Sequence, residues 1–179
     1  MTPSVSVDLI LSPELELAVR SEWDALAARG MSSLADHPGA SNRPHITVHA
    51  GATEDRARAL SGAALAVPLP VTLGMPLLFG SGPRRVLARS VVPSAALLAL
   101  HAAVYEQLSD PASGDTDPER DPWLAPGGWT PHVTLARRLR LDQLDEAAEL
   151  VGGDLTGAVV GIRVWNPDTA TVTTLAGED

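Results

Sequence analysis

From Val5 the chain alternates apolar with polar residues and is wholly apolar by Leu9-Ile10-Leu11, the pattern of a largely buried strand. Ser12-Pro13-Glu14 then reads as a helix start, with a capping hydroxyl, proline at the first helical position and an early carboxylate. Leu15, Val19, Trp23 and Leu26 recur at helical spacing and Gly30 ends the helix. A polar loop, 32–43, feeds a β-branched run at 45–51, and Thr53-Glu54-Asp55 opens a second helix expected to reach about Ala66. Val71 to Phe79 and Val86 to Val92 predict two strands joined by the turn Gly80-Ser81-Gly82-Pro83, with Arg84, Arg85 and Arg89 on or near this hairpin. Ser94 to Leu108 predicts a helix with Leu97, His101, Val104 and Leu108 on one face. Residues 110–128, rich in Asp, Pro and Gly, are expected to form a long mobile loop. A strand at 131–137, a short helix at 142–151 and strands at 157–165 and 169–175 complete the pattern. Hairpin-like neighbours and few parallel crossovers indicate an α+β fold rather than a doubly wound sheet.

Composition narrows this picture without redirecting it. A chain of 179 residues, 45% apolar, is expected to form one domain, 1–179, with a sizeable core. There is no cysteine, so disulfides and thiolate metal sites are excluded. The first residues lack a basic n-region and Asp8 and Pro13 interrupt the apolar run, which is not the pattern of a signal peptide. No apolar run reaches the ~18–20 residues of a membrane span. A cytoplasmic monomer without membrane contact is the expectation. The net charge of −9 argues against an extended nucleic-acid surface, but two or three local cations suffice to hold a nucleotide or an RNA end. All 13 basic residues are arginine, which reads first as a coding bias, although arginine also suits bidentate phosphate contacts.

Two segments carry the chemistry: Pro44-His45-Ile46-Thr47-Val48 and Pro131-His132-Val133-Thr134-Leu135. Residues two apart on a strand share a face, so each segment presents a histidine beside a threonine. Their shared proline, β-branched residue and aliphatic follower argue for one composite site built from two halves of the chain. The other histidines read differently. His37 in a polar loop and His101 on a helix face read as structural. His45 and His49 fall on one face of a regular strand, but ~13 Å apart, too far to share a metal ion. The chain has no Gly-x-Ser-x-Gly nucleophile elbow, phosphate-cradling loop ending in lysine, or dinucleotide fingerprint.

The segments Ser41-Asn42-Arg43-Pro44-His45-Ile46-Thr47-Val48 and Trp129-Thr130-Pro131-His132-Val133-Thr134-Leu135-Ala136-Arg137 resemble the paired motifs of the two-histidine (2H) phosphoesterase superfamily. The likeness is nearest to its bacterial 2′-5′ RNA ligase-like and RNA 2′,3′-cyclic phosphodiesterase members. Motif spacing and chain length fit as well. The first motif departs by continuing into His49-Ala50-Gly51, where family members place an apolar and then an aromatic residue.

The resemblance implies a bilobal, pseudo-two-fold fold in which two mainly antiparallel sheets flank a central cleft with helices outside. It implies metal-independent hydrolysis of a 2′,3′-cyclic phosphate, on an RNA end or a small cyclic nucleotide, without a cofactor. His45 is then the general acid and His132 the general base. Thr47 and Thr134 donate to the phosphate oxygens, where charge develops. A free imidazole, with a pKa near ~6.5, can do either proton transfer at neutral pH. Arg137 is a candidate substrate contact, although in a regular strand its parity turns it away from His132 and Thr134, so the contact requires a bend after Leu135. Joining of RNA ends through a 2′-5′ bond uses the same groups in reverse, and a non-catalytic nucleotide-binding module would keep the same cleft.

Overall fold

The computed structural model describes residues 4–39, 41–109 and 122–177. Among these residues seven strands form: β1 (Ser4–Leu11), β2 (His45–Thr53), β3 (Leu69–Phe79), β4 (Arg84–Val91), β5 (His132–Arg140), β6 (Leu155–Asn166) and β7 (Thr171–Gly177). The helices are α1 (Pro13–Ala28), α2 (Glu54–Arg58), α3 (Ala95–Leu108) and α4 (Leu144–Leu150). Every strand pairing is antiparallel, in the order β2-β1-β6-β3-β4-β5, with β7 also on β6. This is the expected α+β architecture with antiparallel neighbours.

The two expected sheets are joined by one short ladder. Residues Leu69–Leu73 at the start of β3 pair with Leu155–Val159 at the start of β6. Beyond it the strands diverge. β3 continues against β4, and β6 continues between β1 and β7. One lobe is thus β2-β1-β6-β7 and the other β3-β4-β5, each ending on a histidine strand. Although β2 and β5 lie at opposite ends of the strand order, they come into contact. Curvature of the twisted sheet brings its two ends together.

Helix α1 secures this closure. Leu15, Val19, Trp23 and Leu26, the residues at helical spacing, are all buried, and the helix packs on β6 and β5. Gly157 on β6 allows the close approach: a Cβ there would lie 2.9 Å from Leu15 Cβ. The Trp23 indole donates to the Thr134 carbonyl on β5 at 3.1 Å. Glu22, also on α1, forms a buried ion pair with Arg89 of β4, whose Nε donates to Glu22 Oε2 at 2.7 Å. Arg89 donates further to the carbonyls of Gly74 and Gly152, each at 3.0 Å, so the buried guanidinium is compensated on several sides.

Several local expectations change. Ser12 occupies the N-cap of α1 but its side chain makes no capping bond; its N–H donates instead to Ala158 on β6. The helix expected to run to Ala66 ends at Arg58 and is followed by a separate 3-10 turn, Gly62–Leu65; Gly62 takes a φ of +62°, so a continuous α-helix does not pass through it. The helix expected over 142–151 divides into a 3-10 turn, Leu141–Gln143, and α4. Of the loop expected to be mobile, 110–121 lie outside the described residues. No helix among the described residues is long and apolar enough to cross a membrane.

Candidate active site

The two histidine strands share one irregularity at one position. On β2, Thr47 pairs with Asp8 and His49 with Val7, so Val48 is an extra residue. On β5, Thr134 pairs with Ala88 and Ala136 with Leu87, so Leu135 is the extra residue. Each motif therefore ends in a β-bulge. Burial agrees with it: both histidines and both threonines are partly buried, Ile46 and Val133 fully, and the bulge places two consecutive buried residues, Val48-His49 and Leu135-Ala136, in the interior.

Beyond each bulge the parity of the strand is reversed. Arg137, which a regular strand would turn away from Thr134, returns to the motif face and lines a cavity of about 470 Å³ with His45 and Thr47. Here lies the bend after Leu135 that the contact requires. His49 moves the other way. It does not share the face of His45, as regular alternation predicts, but is buried with its ring edge-on to Tyr105 of α3 at 6.4 Å. Among the described residues, His132 and Thr134 do not line this cavity. They lie on the strand that contributes Arg137, and the His132 ring packs against Phe79 at 4.6 Å.

Both histidine rings are held in the same way. His45 Nδ1 lies 2.6 Å from the carbonyl of Arg43, and His132 Nδ1 lies 2.8 Å from the carbonyl of Thr130. A carbonyl only accepts, so the hydrogen sits on Nδ1 in each ring. Nε2 is left as the nitrogen available for proton transfer, a base when the ring is neutral and an acid when it is charged.

The segments that supply these carbonyls are themselves anchored. Arg43 donates through Nε and Nη2 to Glu16 Oε2 on α1, at 2.9 and 2.7 Å, and Arg20 donates to Glu16 and to the Asn42 carbonyl. Burial alone would raise the Glu16 carboxyl; the hydrogen bonds from Arg43 and Arg20 outweigh it and hold the group below the ordinary carboxylate range. On the other strand Trp129, next to Thr130, stacks on His101 with centroids 4.0 Å apart. Its indole donates to the Thr47 carbonyl at 3.1 Å. The second motif is thereby tied directly to the first. His101 is a structural residue in this arrangement, donating through Nε2 to the Leu124 carbonyl.

A row of polar residues crosses the lobe from Thr47. Asp8 on β1 pairs with Thr47 on one side and with Arg163 of β6 on the other. The Thr47 hydroxyl donates to Asp8 Oδ1 at 3.0 Å, and Arg163 Nε lies 3.6 Å from Asp8 Oδ2. Arg163 also donates to the Ser41 carbonyl at 3.2 Å. Asp8 and Arg163, 1% and 3% exposed, neutralise each other in the wall of the cavity. Neither stands out in the sequence as a site residue. The available signal is a lone charge of opposite sign in each of two mainly apolar stretches, 5–11 and 159–165, since unpaired charges are rarely buried. His37, read as structural, also lines the cavity. No three His, Asp or Glu side chains among the described residues are grouped as metal ligands.

A family model described as the 2′-5′ RNA ligase superfamily matches residues 13–176. The chain belongs to this superfamily. Membership places it with two-histidine phosphoesterases and RNA-processing ligases. No curated protein matches the sequence. Among solved structures, E. coli LigT complexed with 3′-AMP superposes with a TM-score of 0.56 at 17% identity, covering 97% of this chain and 94% of LigT. The apo form gives 0.56 at 18% identity with the same coverage. LigT complexed with ATP gives 0.51 at 17%, covering 98% and 96%. At these identities the likeness is one of fold, and it extends over nearly the whole of this superfamily member.

Proposed function

We propose that this protein is a metal-independent phosphoesterase that hydrolyses a 2′,3′-cyclic phosphate with His45 and His132 as its acid–base pair. The observation that carries the reading is the matched anchoring of the two rings, each with Nδ1–H on a backbone carbonyl two residues earlier. Two identical tautomers, each leaving Nε2 for proton transfer, suit a reaction that needs one proton removed and one delivered.

In the proposed reaction His132 Nε2 takes a proton from water as its oxygen attacks phosphorus. The P–O bond to one ribose oxygen breaks, and protonated His45 delivers its Nε2 proton to that oxygen. One water is consumed, and a ribose hydroxyl and a phosphate monoester remain. The histidines do the proton transfers that a metal-bound water would otherwise supply. Thr134 donates to a non-bridging oxygen, and Arg137 holds the phosphate from the face to which the bulge returns it. Thr47 meets the substrate with its proton already committed to Asp8; on the substrate side it accepts, or it donates only by releasing Asp8.

The test is a panel of 2′,3′-cyclic nucleotides and cyclic-phosphate oligonucleotides, assayed for hydrolysis and, with a 5′-hydroxyl acceptor, for 2′-5′ joining. Hydrolysis that persists after chelation supports the reading. Joining without hydrolysis assigns the site to ligation, and tight binding with neither reaction assigns it to a nucleotide-binding module.

A further inference from the structure

The first cavity does not end at Trp165. A second, of about 590 Å³, lies beside it and is lined by Arg43, Arg163, Trp165, Ala170 and Val172, among others. The two share His37, Ser41, Arg163 and Trp165. Each volume is within the ~300–1,000 Å³ of a complete small-ligand site, so together they exceed the needs of one nucleotide.

Strand register explains how the two connect. Parallel to the row Thr47–Asp8–Arg163 runs a second one: Ala50 pairs with Ser6, Ser6 with Trp165 and Trp165 with Val172. Trp165 and Arg163, two apart on β6, share a face. The floor of the cleft therefore runs from the edge strand β2 through β1 and β6 to β7. It presents first His45 and Thr47 on β2, then a guanidinium, then an indole beside an aliphatic patch. Charge is distributed along the same path. Arg43, Arg137 and Arg163 line the two cavities; Asp8 is engaged by Arg163 and Thr47, and Glu16, behind Arg43, is shared with Arg20, so the arginines around the cleft outnumber the carboxylates paired with them. A protein of net charge −9 thus carries a locally cationic cleft, which attracts a polyanion to this one surface.

We infer that the outer cavity is a subsite for a second nucleotide, so that the substrate is a short RNA end and not a mononucleoside cyclic phosphate. The base of the nucleotide preceding the cyclic phosphate stacks on Trp165, against Val172. The phosphate linking the two nucleotides lies toward the arginines shared by or bordering the cavities. Stacking on an aromatic residue tolerates every base, so the subsite selects for chain length and not for sequence. Two nucleotides are also a footprint that an acidic protein can hold without an extended basic face.

This inference rests on the hydrolytic reading of the site, and the experiment separates the two. kcat/KM is measured for a dinucleotide ending in a 2′,3′-cyclic phosphate and for the matching mononucleoside 2′,3′-cyclic phosphate. The dinucleotide is expected to be favoured by ~10-fold or more, the range that base–aromatic stacking confers. Val172→Glu, which touches only the outer cavity, is expected to bring the ratio near one by lowering kcat/KM for the dinucleotide. Trp165→Ala lowers the ratio and Trp165→Phe retains it. Equal kcat/KM for the two wild-type substrates overturns the subsite, as does a ratio untouched by both Val172→Glu and Trp165→Ala. If neither substrate is hydrolysed, the hydrolytic reading fails and the subsite is judged by calorimetry with 3′-phosphorylated ligands. A dinucleotide bound ~10-fold more tightly than the mononucleotide then supports it, and equal Kd values overturn it.

Discussion

The Thr47 hydroxyl on β2 donates to the Asp8 carboxylate on β1 at 3.0 Å, whereas its counterpart Thr134 faces Ala88 across the equivalent ladder. The two halves of the site match in backbone and differ in charge. Asp8 is held between Thr47 and Arg163, and removing it leaves a buried guanidinium uncompensated. Asp8→Ala is expected to destabilise the fold by about 3 kcal/mol or more. The double variant Asp8→Ala/Arg163→Met should cost less than the sum of its single changes. Denaturant melts of the four proteins check this; strictly additive losses would show that the pair is not coupled.

Arg137 reaches the cavity because of the bulge at Leu135. Its proposed role is a charge-assisted contact to phosphate, worth ~1.5–3 kcal/mol. Arg137→Ala is expected to lower kcat/KM by roughly 10–100-fold with the melting temperature unchanged, since the side chain is exposed. Steady-state kinetics beside a thermal melt separates the two effects; an unaltered kcat/KM removes Arg137 from the site.

Burial lowers the His101 pKa, and the hydrogen bond to Leu124 only partly opposes this. The folded state therefore binds this proton less readily than the unfolded chain does. Its contribution to stability is present above the unfolded histidine value of ~6.5 and is lost as pH falls through that value toward the folded one. The melting temperature should fall as the pH is lowered through ~6.5, and His101→Phe, which preserves a ring against Trp129, should lessen that drop. An equal decline in both proteins would contradict the assignment.

Much of the fold was legible because its signals are local. The spacing of Leu15, Val19, Trp23 and Leu26 marked the buried face of α1, and the glycine turn at 80–82 marked the β3–β4 hairpin. Both histidine strands were legible from their β-branched runs. The features that sequence periodicity does not reveal depend on partners distant in the chain. Nothing in Val48 or Leu135 signals a bulge, yet the bulges decide that Arg137 faces the cleft and His49 the interior. The ion pair between Asp8 and Arg163 joins strands from opposite ends of the chain, so each charge alone looks like an exception in an apolar run. The proposed roles of Trp165 and Val172 rest on the register of β6 and β7, which periodicity does not specify.

In the proposed mechanism His45 and His132 together perform the proton transfers. The most direct measurement is the rate of 2′,3′-cyclic phosphate hydrolysis by His45→Ala and His132→Ala beside the wild type, across pH. Each variant is predicted to lose on the order of 10²–10⁴-fold in kcat, and the wild-type profile is predicted to be bell-shaped, with one limb missing in each variant. Wild-type rates in either variant would contradict the two-histidine account.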